Sequence, residues 1–358
     1  MFRGQSGFSL VEALVAATIL LAASGLLFHF AASSERLARA QPDAADVSQR
    51  LRVAAGMIAR DLLDAGAGDA HGHLGTLASY FPPIVPARTG AESPDPEFAA
   101  FPDRISIAYV SDAGWYGRLA ADLPDVAADL PMDLATPGCP SVGVCGFSKG
   151  SRAAIVDTGG LGAGHDLFSV TLAAAGLAHG SPNPPFSQTY TQASTAIVPI
   201  EQRVYYLDHA NNRLMVYDGF KTALPLVDNI VHLEFAYFVD PHPASVALPA
   251  EPSGNCVYGP GDPPVPLLAP LGASSLVAVP LAQFQDGPYC GIWPQRFDGD
   301  LLRIRRVRVT LRAQAGQSQV RGRGADYVNP GSSDGELSSV RDFEVTFDVV
   351  PRNMAAAR

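Results

Sequence analysis

The chain has 358 residues, of which 47% are hydrophobic, and a formal net charge of −10. This length is sufficient for a sizeable hydrophobic core. An acidic protein disfavours nonspecific binding to nucleic acid or anionic lipid. The 34 glycines and 30 prolines exclude a mostly helical protein and indicate many turns and long loops between short strands.

The N-terminus consists of a short polar segment followed by a long apolar one. Residues 1–7 end at Gly7, and from residue 8 to residue 32 the only ionisable side chains are Glu12 and His29. About 20 apolar residues cross a bilayer as a helix, so residues 8–32 are predicted to span a membrane. The run is longer than the apolar region of a secretory signal peptide, and no small-x-small cleavage site follows it. A charge at membrane depth costs about 2.5–3.5 kcal/mol, so Glu12 needs a partner.

This N-terminus resembles that of the type IV pilin and pseudopilin superfamily. The resemblance lies in Gly7, Phe8, Ser9, Leu10, Val11 and Glu12 and in the apolar helix behind them. It implies that a prepilin peptidase cleaves after Gly7 and that the new terminus, Phe8, is N-methylated. It also implies that Glu12 pairs with the free amine of Phe8 on a neighbouring subunit. The alternative is a plain single-pass anchor with an isolated glutamate.

The segment after the span is predicted to continue as a helix. Proline removes an amide donor and clashes with the preceding turn, so a kink at Pro42 is expected, or a helix restart with Asp43 and Asp46 in its first turn. Apolar residues then recur at spacings of three and four and predict one buried stripe, formed by Val47, Leu51, Ala54, Ile58, Leu62 and Ala65. Gly66 and Gly68 are expected to end this helix.

The remainder alternates between predicted strands and long loops. Strands are predicted at 105–109, 153–157, 167–174, 204–207, 214–217, 230–239, 305–312 and 343–349, with residues 203–240 forming an antiparallel meander. Loops are predicted at 69–103, 110–150 and 316–339, and the proline- and glycine-rich segment 241–294 is interpreted as a long insertion. The glycine cluster at 159–164 predicts a hairpin turn, because it lacks the spacing of a dinucleotide-binding fingerprint.

The four cysteines are Cys139, Cys145, Cys256 and Cys290, and all follow the predicted span. In an oxidising compartment they are expected to form disulfides, for which three connectivities are possible. Pairing Cys139 with Cys145 and Cys256 with Cys290 is favoured, since the first pair closes a short loop and the second closes the long insertion. A four-cysteine metal site is disfavoured because the sequence contains no Cys-x-x-Cys pair.

Two other motifs have spacings that occur in catalytic or metal sites, but the residues around them argue against such a role. Gly146, Ser148 and Gly150 have the Gly-x-Ser-x-Gly spacing of a nucleophile elbow, yet no apolar strand precedes them and no helical pattern follows. His71 and His73 form a His-x-His pair with no third ligand nearby, and we interpret them as part of a solvated loop. The chain is therefore not expected to be an enzyme, and no metal or cofactor is assigned.

The charged clusters leave two alternatives open. The basic cluster comprises Arg303, Arg305, Arg306, Arg308, Arg312, Arg321 and Arg323. On a strand, the side chains of residues 306, 308 and 312 share one face, which either is solvated and paired with acidic side chains or docks an acidic partner or DNA. Asp286, Asp298 and Asp300 could coordinate calcium, but they do not form a recognisable calcium loop, so calcium stays unassigned.

The order of long helix, loop and antiparallel sheet predicts an α+β, pilin-like fold. The predicted parts are the leader 1–7, the transmembrane and assembly helix 8–32, its periplasmic half 33–66, and a β-rich domain 67–358 with the cysteine-containing loop 241–294. The segments 50–52, 58–66, 204–206, 226–237 and 352–354 resemble the minor pilin W (PilW) family and, more distantly, pseudopilin J of type II secretion.

This resemblance implies a minor pilin that acts in the initiation and assembly of the fibre, and it leaves a position at the tip open. The implied partners are other minor and major pilins, the prepilin peptidase and the assembly platform of the bacterial inner membrane. With a single leader cation and a large domain after the span, the domain is expected to be exported. One alternative is a type II secretion pseudopilin. The other is an enzyme or binding ectodomain that uses the helix only as a tether.

Overall fold

The computed structural model describes residues 9–68, 77, 80–87, 95–96, 98–110, 116–141, 143–159, 165–174, 176–180, 183, 185–219, 221–242, 248–249, 254–291, 296–321 and 340–355. The chain divides into two compact units. One comprises Met1–Arg50 with Gln314–Phe343, and the other comprises Leu51–Ala313 with Glu344–Arg358. The second unit contains nearly all of the β-structure.

Helix α1 runs from Leu10 to Asp64, a single helix of 55 residues that contains Pro42. Of the two alternatives expected at this proline, a kink or a helix restart, the restart is therefore wrong. Proline removes only one of the many backbone hydrogen bonds of so long a helix, and the good helix formers on both sides continue the pattern. The predicted stripe is confirmed, because all six of its residues, from Val47 to Ala65, are buried.

The larger sheet has seven antiparallel strands. They are β1 (Ile84–Val85), β2 (Arg104–Val110), β3 (Arg152–Asp157), β4 (His165–Ser169), β7 (Thr195–Asp208), β8 (Arg213–Tyr217) and β9 (Ala223–Asp228). Their order is β1-β2-β7-β3-β4, with β8 paired to both β7 and β9. The 14-residue strand β7 is central, since it pairs with β2, β3 and β8 along different parts of its length. A separate hairpin joins β5 (Leu172–Ala173) to β6 (Leu177–Ala178).

A second sheet uses residues from the last third of the chain. It contains β10 (Ile230–Val239), β13 (Val277–Val279), β16 (Ile304–Ala313) and β17 (Phe343–Val349), in the order β13-β10-β16-β17. Two-residue ladders join β11 (Tyr258–Gly259) to β12 (Val265–Pro266) and β14 (Tyr289–Cys290) to β15 (Phe297–Asp298). A short helix, α2 (Arg352–Ala355), follows.

The predicted meander over 203–240 is only partly right. Strands β7, β8 and β9 do follow one another in the first sheet, but β10 leaves it and pairs with β16. The chain turns at Asn229, whose φ is +61°, a left-handed conformation that asparagine tolerates better than most residues. The buried face of β10 is as predicted, with Val231, Leu233, Phe235 and Tyr237 all buried. The fold is thus α+β, a long helix followed by antiparallel sheets with loops.

The segment predicted as an acidic loop before β3 instead supplies part of the core. Leu119, Leu123, Leu130 and Met132 are buried in one hydrophobic cluster with Phe168. The backbone of Leu130 exchanges two hydrogen bonds with that of Leu177. The chain between these apolar residues is irregular, so they follow neither a helical nor a strand period. Their burial therefore could not be predicted from sequence periodicity.

Candidate assembly helix and its attachment

The helix that carries Glu12 begins with a reciprocal cap. The backbone N–H of Ser9 donates to Oε2 of Glu12 at 3.1 Å, and the N–H of Glu12 donates to Oγ of Ser9 at 3.3 Å. This is the capping box of a Ser-x-x-Glu sequence, which satisfies two amide donors that a helix start would otherwise leave unpaired. Within one chain, the carboxylate of Glu12 therefore already has a partner. Gly7 and Phe8, predicted as the cleavage site, lie outside the described residues.

Helix α1 carries a 26-residue segment, Leu10–Glu35, that is long and apolar enough to cross a membrane. Its large side chains are exposed, with 83% of Leu10 and 77% of Phe28 accessible. The hydroxyl groups of Thr18 and Ser33 donate to carbonyl oxygens one turn earlier, at 2.8 and 3.2 Å. Such local bonds remove the need for water around these polar side chains, as a spanning helix requires.

The last turns of α1 are attached to the first sheet by a buried polar contact. The phenol of Tyr205, on β7, donates to Oδ2 of Asp61 at 2.6 Å. Burial raises the pKa of Asp61, and the hydrogen bond from Tyr205 lowers it in part. Burial also raises the pKa of Tyr205, as does the negative charge of Asp61. Because the phenol stays protonated, it is a permanent donor to this carboxylate.

Backbone bonds continue this attachment beyond the helix end. Gly66, with φ of +73°, occupies the left-handed position that commonly ends helices, as the sequence predicted for this glycine. Its N–H donates to the carbonyl of Ala108, and the N–H of Val110 donates to the carbonyl of Ala67. The chain leaving α1 is thereby hydrogen-bonded to β2, which fixes the end of the helix on the sheet.

Both disulfides follow the connectivity that the sequence favoured. Cys139 is bonded to Cys145, with 4.6 Å between their Cα atoms, and Cys256 to Cys290, with 5.2 Å. The first closes a loop beside the hydrophobic cluster around Phe168. The second closes the insertion, which contains four short strands rather than irregular chain alone.

The basic cluster is largely engaged within the protein. Arg308 makes a bidentate pair with Asp348, at 2.7 and 3.0 Å, between neighbouring strands β16 and β17. Arg306 also reaches Asp348, at 3.5 Å, and its guanidinium lies 3.9 Å from the ring centroid of Phe238. These contacts favour the paired-face alternative. Arg312 departs from the expectation of a solvated face, because only 2% of it is exposed.

Arg303 is a buried structural residue rather than part of a surface. It pairs with Asp300 at 2.6 Å and donates to the carbonyl groups of Pro241, His242 and Ala269. The guanidinium of Arg303 thus links residues 241 and 242, at the start of the insertion, to residue 269 further along it. Four charge-assisted bonds offset the cost of its burial.

The remaining members of the basic cluster serve the backbone or lie outside the described residues. Arg305 donates to the carbonyl groups of Leu302 and Ile304. Arg321 donates to those of Ala315 and Gly316. Arg323 lies outside the described residues, and so do His71 and His73 of the His-x-His pair.

The acidic cluster at the end of the insertion and just after it accepts hydrogen bonds from protein donors. Oxygen atoms of Asp286, Asp298 and Asp300 lie within 4.8 Å of one another. Asp298 accepts bonds from the N–H groups of Gly287 and Asp300, and Asp300 accepts bonds from Arg303 and from the amide of Gln283. Burial raises the pKa of Asp298 to about 6, and the neighbouring carboxylates add to that rise. Asp298 and Asp300, two of the three carboxylates, are thus engaged by protein donors.

Ser148 does not have the setting of a nucleophile elbow. It lies in a turn that leads into β3, whereas an elbow joins the end of a strand to the start of a helix. The backbone N–H of Ser148 donates to the hydroxyl of Ser151, and the backbone N–H of Ser151 donates to the carbonyl of Ser148. This serine belongs to a tight turn.

Comparison with protein families identifies a known motif at the N-terminus. A family model described as the prokaryotic N-terminal methylation motif matches residues 2–28. The N-terminus is a type IV pilin-like prepilin signal. The match supports the pilin and pseudopilin superfamily and a processed protein with one N-terminal membrane anchor and a C-terminal domain outside the membrane. Such a motif implies interaction with pilus components in general. No curated protein and no solved structure is significantly similar to the chain.

Sequence reasoning missed two contacts of this helix. The cap between Ser9 and Glu12 has a sequence signal, since serine followed three residues later by glutamate is the capping-box pattern. The contact between Asp61 and Tyr205 joins residues 144 positions apart and had no local signal. The first contact changes how Glu12 is interpreted, because it supplies a hydrogen-bond partner within the same chain.

Proposed function

We propose that this protein is a minor pilin of a type IV pilus system that acts in the initiation and assembly of the fibre. The observation that carries the proposal is the prepilin motif, matched over residues 2–28, together with the 26-residue apolar segment Leu10–Glu35, whose large hydrophobic side chains are exposed. Apolar side chains exposed over such a length need either lipid or other helices around them. A helix that first lies in lipid and then packs against neighbouring helices has its apolar side chains covered at both stages.

The proposed partners are the other minor and major pilins, the prepilin peptidase and the inner-membrane assembly platform. In this proposal the peptidase cleaves after Gly7 and the new terminus, Phe8, is methylated. Before assembly, the chain stays in the inner membrane as a single-pass protein. The β-rich domain selects partners, and the protein works by packing rather than by catalysis. The resemblance to the minor pilin W family favours the pilus over a type II secretion pseudopilus.

Two roles of Glu12 can be separated by substitution. In the assembly role, its negative charge pairs with the Phe8 amine of a neighbouring subunit. In the purely local role, its oxygen atom caps the Ser9 N–H, at 3.1 Å. Glutamine preserves a capping box but carries no charge, whereas Ser9→Ala removes the side-chain half of the cap and leaves the charge. Glu12→Gln and Ser9→Ala therefore test the charge and the cap one at a time.

The experiment measures incorporation into sheared fibres by immunoblot, with membrane levels of each variant as the control. We expect Glu12→Gln and Glu12→Ala to abolish incorporation, and Ser9→Ala to retain most of it. Retention in Glu12→Gln with loss in Ser9→Ala would assign Glu12 to the cap and remove the intersubunit pair. If the Glu12→Ala variant kept the full activity of the wild-type protein, the tethered enzyme or binding ectodomain would be favoured.

The mass of the N-terminus tests processing directly. The protein purified from membranes should begin at a methylated Phe8. An intact Met1, or a terminus near Ala32, would contradict the proposal. A deletion strain then separates the two machines, because a minor pilin is needed for surface fibres whereas a pseudopilin is needed for secretion of exoproteins.

A further inference from the structure

The second unit contains an open cleft of about 290 Å³ beside the turn that leads into β3. Three segments line it: this turn, the middle of β7, and the turn after β8. Its volume is at the lower end of the range for small-molecule sites, which run from about 300 to 1,000 Å³. All residues that line the cleft belong to the second unit, and none belongs to the segment that carries Glu12 and the apolar part of α1, so an inference from the cleft is independent of the proposed function.

Arg152 is the unusual side chain of this cleft. It is half-buried, and among the described residues no carboxylate pairs with it and no acceptor takes a hydrogen bond from it. Its guanidinium lies 4.6 Å from the ring centroid of Phe81, a cation–π contact. Burial lowers the pKa of Arg152 to about 10, so the side chain stays charged at neutral pH. No nitrogen of this guanidinium is buried without a partner, so its N–H donors are accessible and free to bind an anion.

The other charges of the cleft are already balanced. Arg203 pairs with Glu201 at 2.9 Å, and Oδ1 of Asp218 accepts the backbone N–H groups of Lys221 and Thr222. Arg152 is thus the charge that lacks a counterion. The carboxylates of Glu201 and Asp218 repel further negative charge, so they favour a monoanion over a dianion such as phosphate. A planar carboxylate also matches the fork of a guanidinium, with two parallel N–H donors.

The wall that carries Arg152 includes a tight turn at the end of the first disulfide loop. Cys145 and Gly146 both have positive φ, +49° and +77°, and the backbone groups of Val144 and Phe147 bond to each other across them. This is a type I′ turn, and the disulfide bond is attached at Cys145, its first central residue. A fixed wall reduces the ordering cost of binding. The neighbouring hydroxyl of Ser151 and the backbone of the turn provide polar groups for a hydrophilic ligand.

We propose that this cleft binds a small polar monocarboxylate, of the size and chemistry of a uronic acid, and that Arg152 anchors its carboxylate. Arg152 has no counterion among the described residues, while the neighbouring acidic groups are already paired or capped. The polar lining takes the hydroxyl groups of the ligand.

The test is calorimetric titration of the full mature chain in detergent micelles with sodium D-glucuronate, at neutral pH and fixed ionic strength. D-glucose tests the need for the carboxylate, and inorganic phosphate tests the preference for a monoanion. The variant is Arg152→Gln. Lys149→Gln is the matched control, because it removes the same charge three residues away, on an exposed side chain that does not line the cleft. Circular dichroism confirms that each variant is folded.

We expect glucuronate to bind the wild-type chain and Lys149→Gln equally, and Arg152→Gln about 10-fold or more weakly. Glucose should not bind detectably, and phosphate should bind more weakly than glucuronate. If Arg152→Gln does not fold, Arg152→Lys keeps the charge without the planar fork and should still weaken binding. No binding of glucuronate to the folded wild-type chain at about 10 mM, equal weakening by Lys149→Gln, or phosphate binding as tight as glucuronate would overturn the proposal.

Discussion

Truncation of Ile58 tests whether the second half of α1 is a packing surface. Ile58 is fully buried in the stripe, and Ile58→Ala removes three carbon atoms. At about 0.8 kcal/mol for each buried methylene, the transfer cost is about 2.4 kcal/mol. The cavity left behind adds about 1 kcal/mol, so the free energy of unfolding should fall by about 3–4 kcal/mol. In a domain of this size, that loss lowers Tm by about 6–16 °C.

The matched control is Met57→Ala on the adjacent position of the same helix. Met57 is 40% exposed, so its truncation should change the free energy of unfolding by no more than about 0.5 kcal/mol. Both variants are compared with the wild-type chain by thermal unfolding, followed by circular dichroism in the same detergent with disulfides intact. Equal effects of the two substitutions, or a loss below about 1 kcal/mol in Ile58→Ala, would refute the packing role.

Three further substitutions test other contacts of the second unit. Tyr205→Phe should lower the free energy of unfolding by about 1–3 kcal/mol, because it leaves the buried carboxylate of Asp61 without its phenol donor; denaturant midpoints at neutral pH measure this. Burial holds the pKa of His179 below its usual value of 6.5, so the unfolded chain binds the proton more readily and stability should fall as pH drops below about 6.5, by at most about 1.4 kcal/mol per pH unit. In His179→Gln this contribution should be lost, whereas that of Asp298, whose pKa is about 6, is present in both profiles; an unchanged slope would contradict the assignment. Replacing Cys256 and Cys290 by serine opens a 34-residue loop and should cost about 4 kcal/mol, seen as a lower urea midpoint, whereas an unchanged midpoint would show that the bond does not constrain the chain.

The long helix and most of the longer strands could be predicted from the sequence, because local periodicity specifies them. The helical stripe from Val47 to Ala65 and the alternation in β10 each repeat over ten residues or more. The pairing of strands could not be predicted this way. The apolar residues of β10 suit either sheet, and the choice of β16 as its partner depends on contacts about 70 positions away in sequence.

The candidate site shows the same division between local and distant information. The motif around Glu12 is a short sequence pattern, and both the prepilin signal and the cap with Ser9 can be recognised from it. The attachment of Asp61 to Tyr205 depends on how the sheet is assembled, which the local sequence does not specify. The core residues around Leu119 were missed for a related reason, since irregular chain buries apolar side chains without a period.

The two sheets use separate parts of the chain, and this affects the order in which the protein can form. Every strand of the seven-stranded sheet lies between Ile84 and Asp228, whereas the second sheet needs residues from Ile230 to Val349. Synthesis proceeds from the N-terminus, so all strands of the first sheet are available before the second sheet has any. The second sheet is complete only when β17, near the end of the chain, has emerged. A nascent or truncated chain that stops before Phe343 would therefore have a complete first sheet and an open edge at β16, a site for unwanted strand pairing.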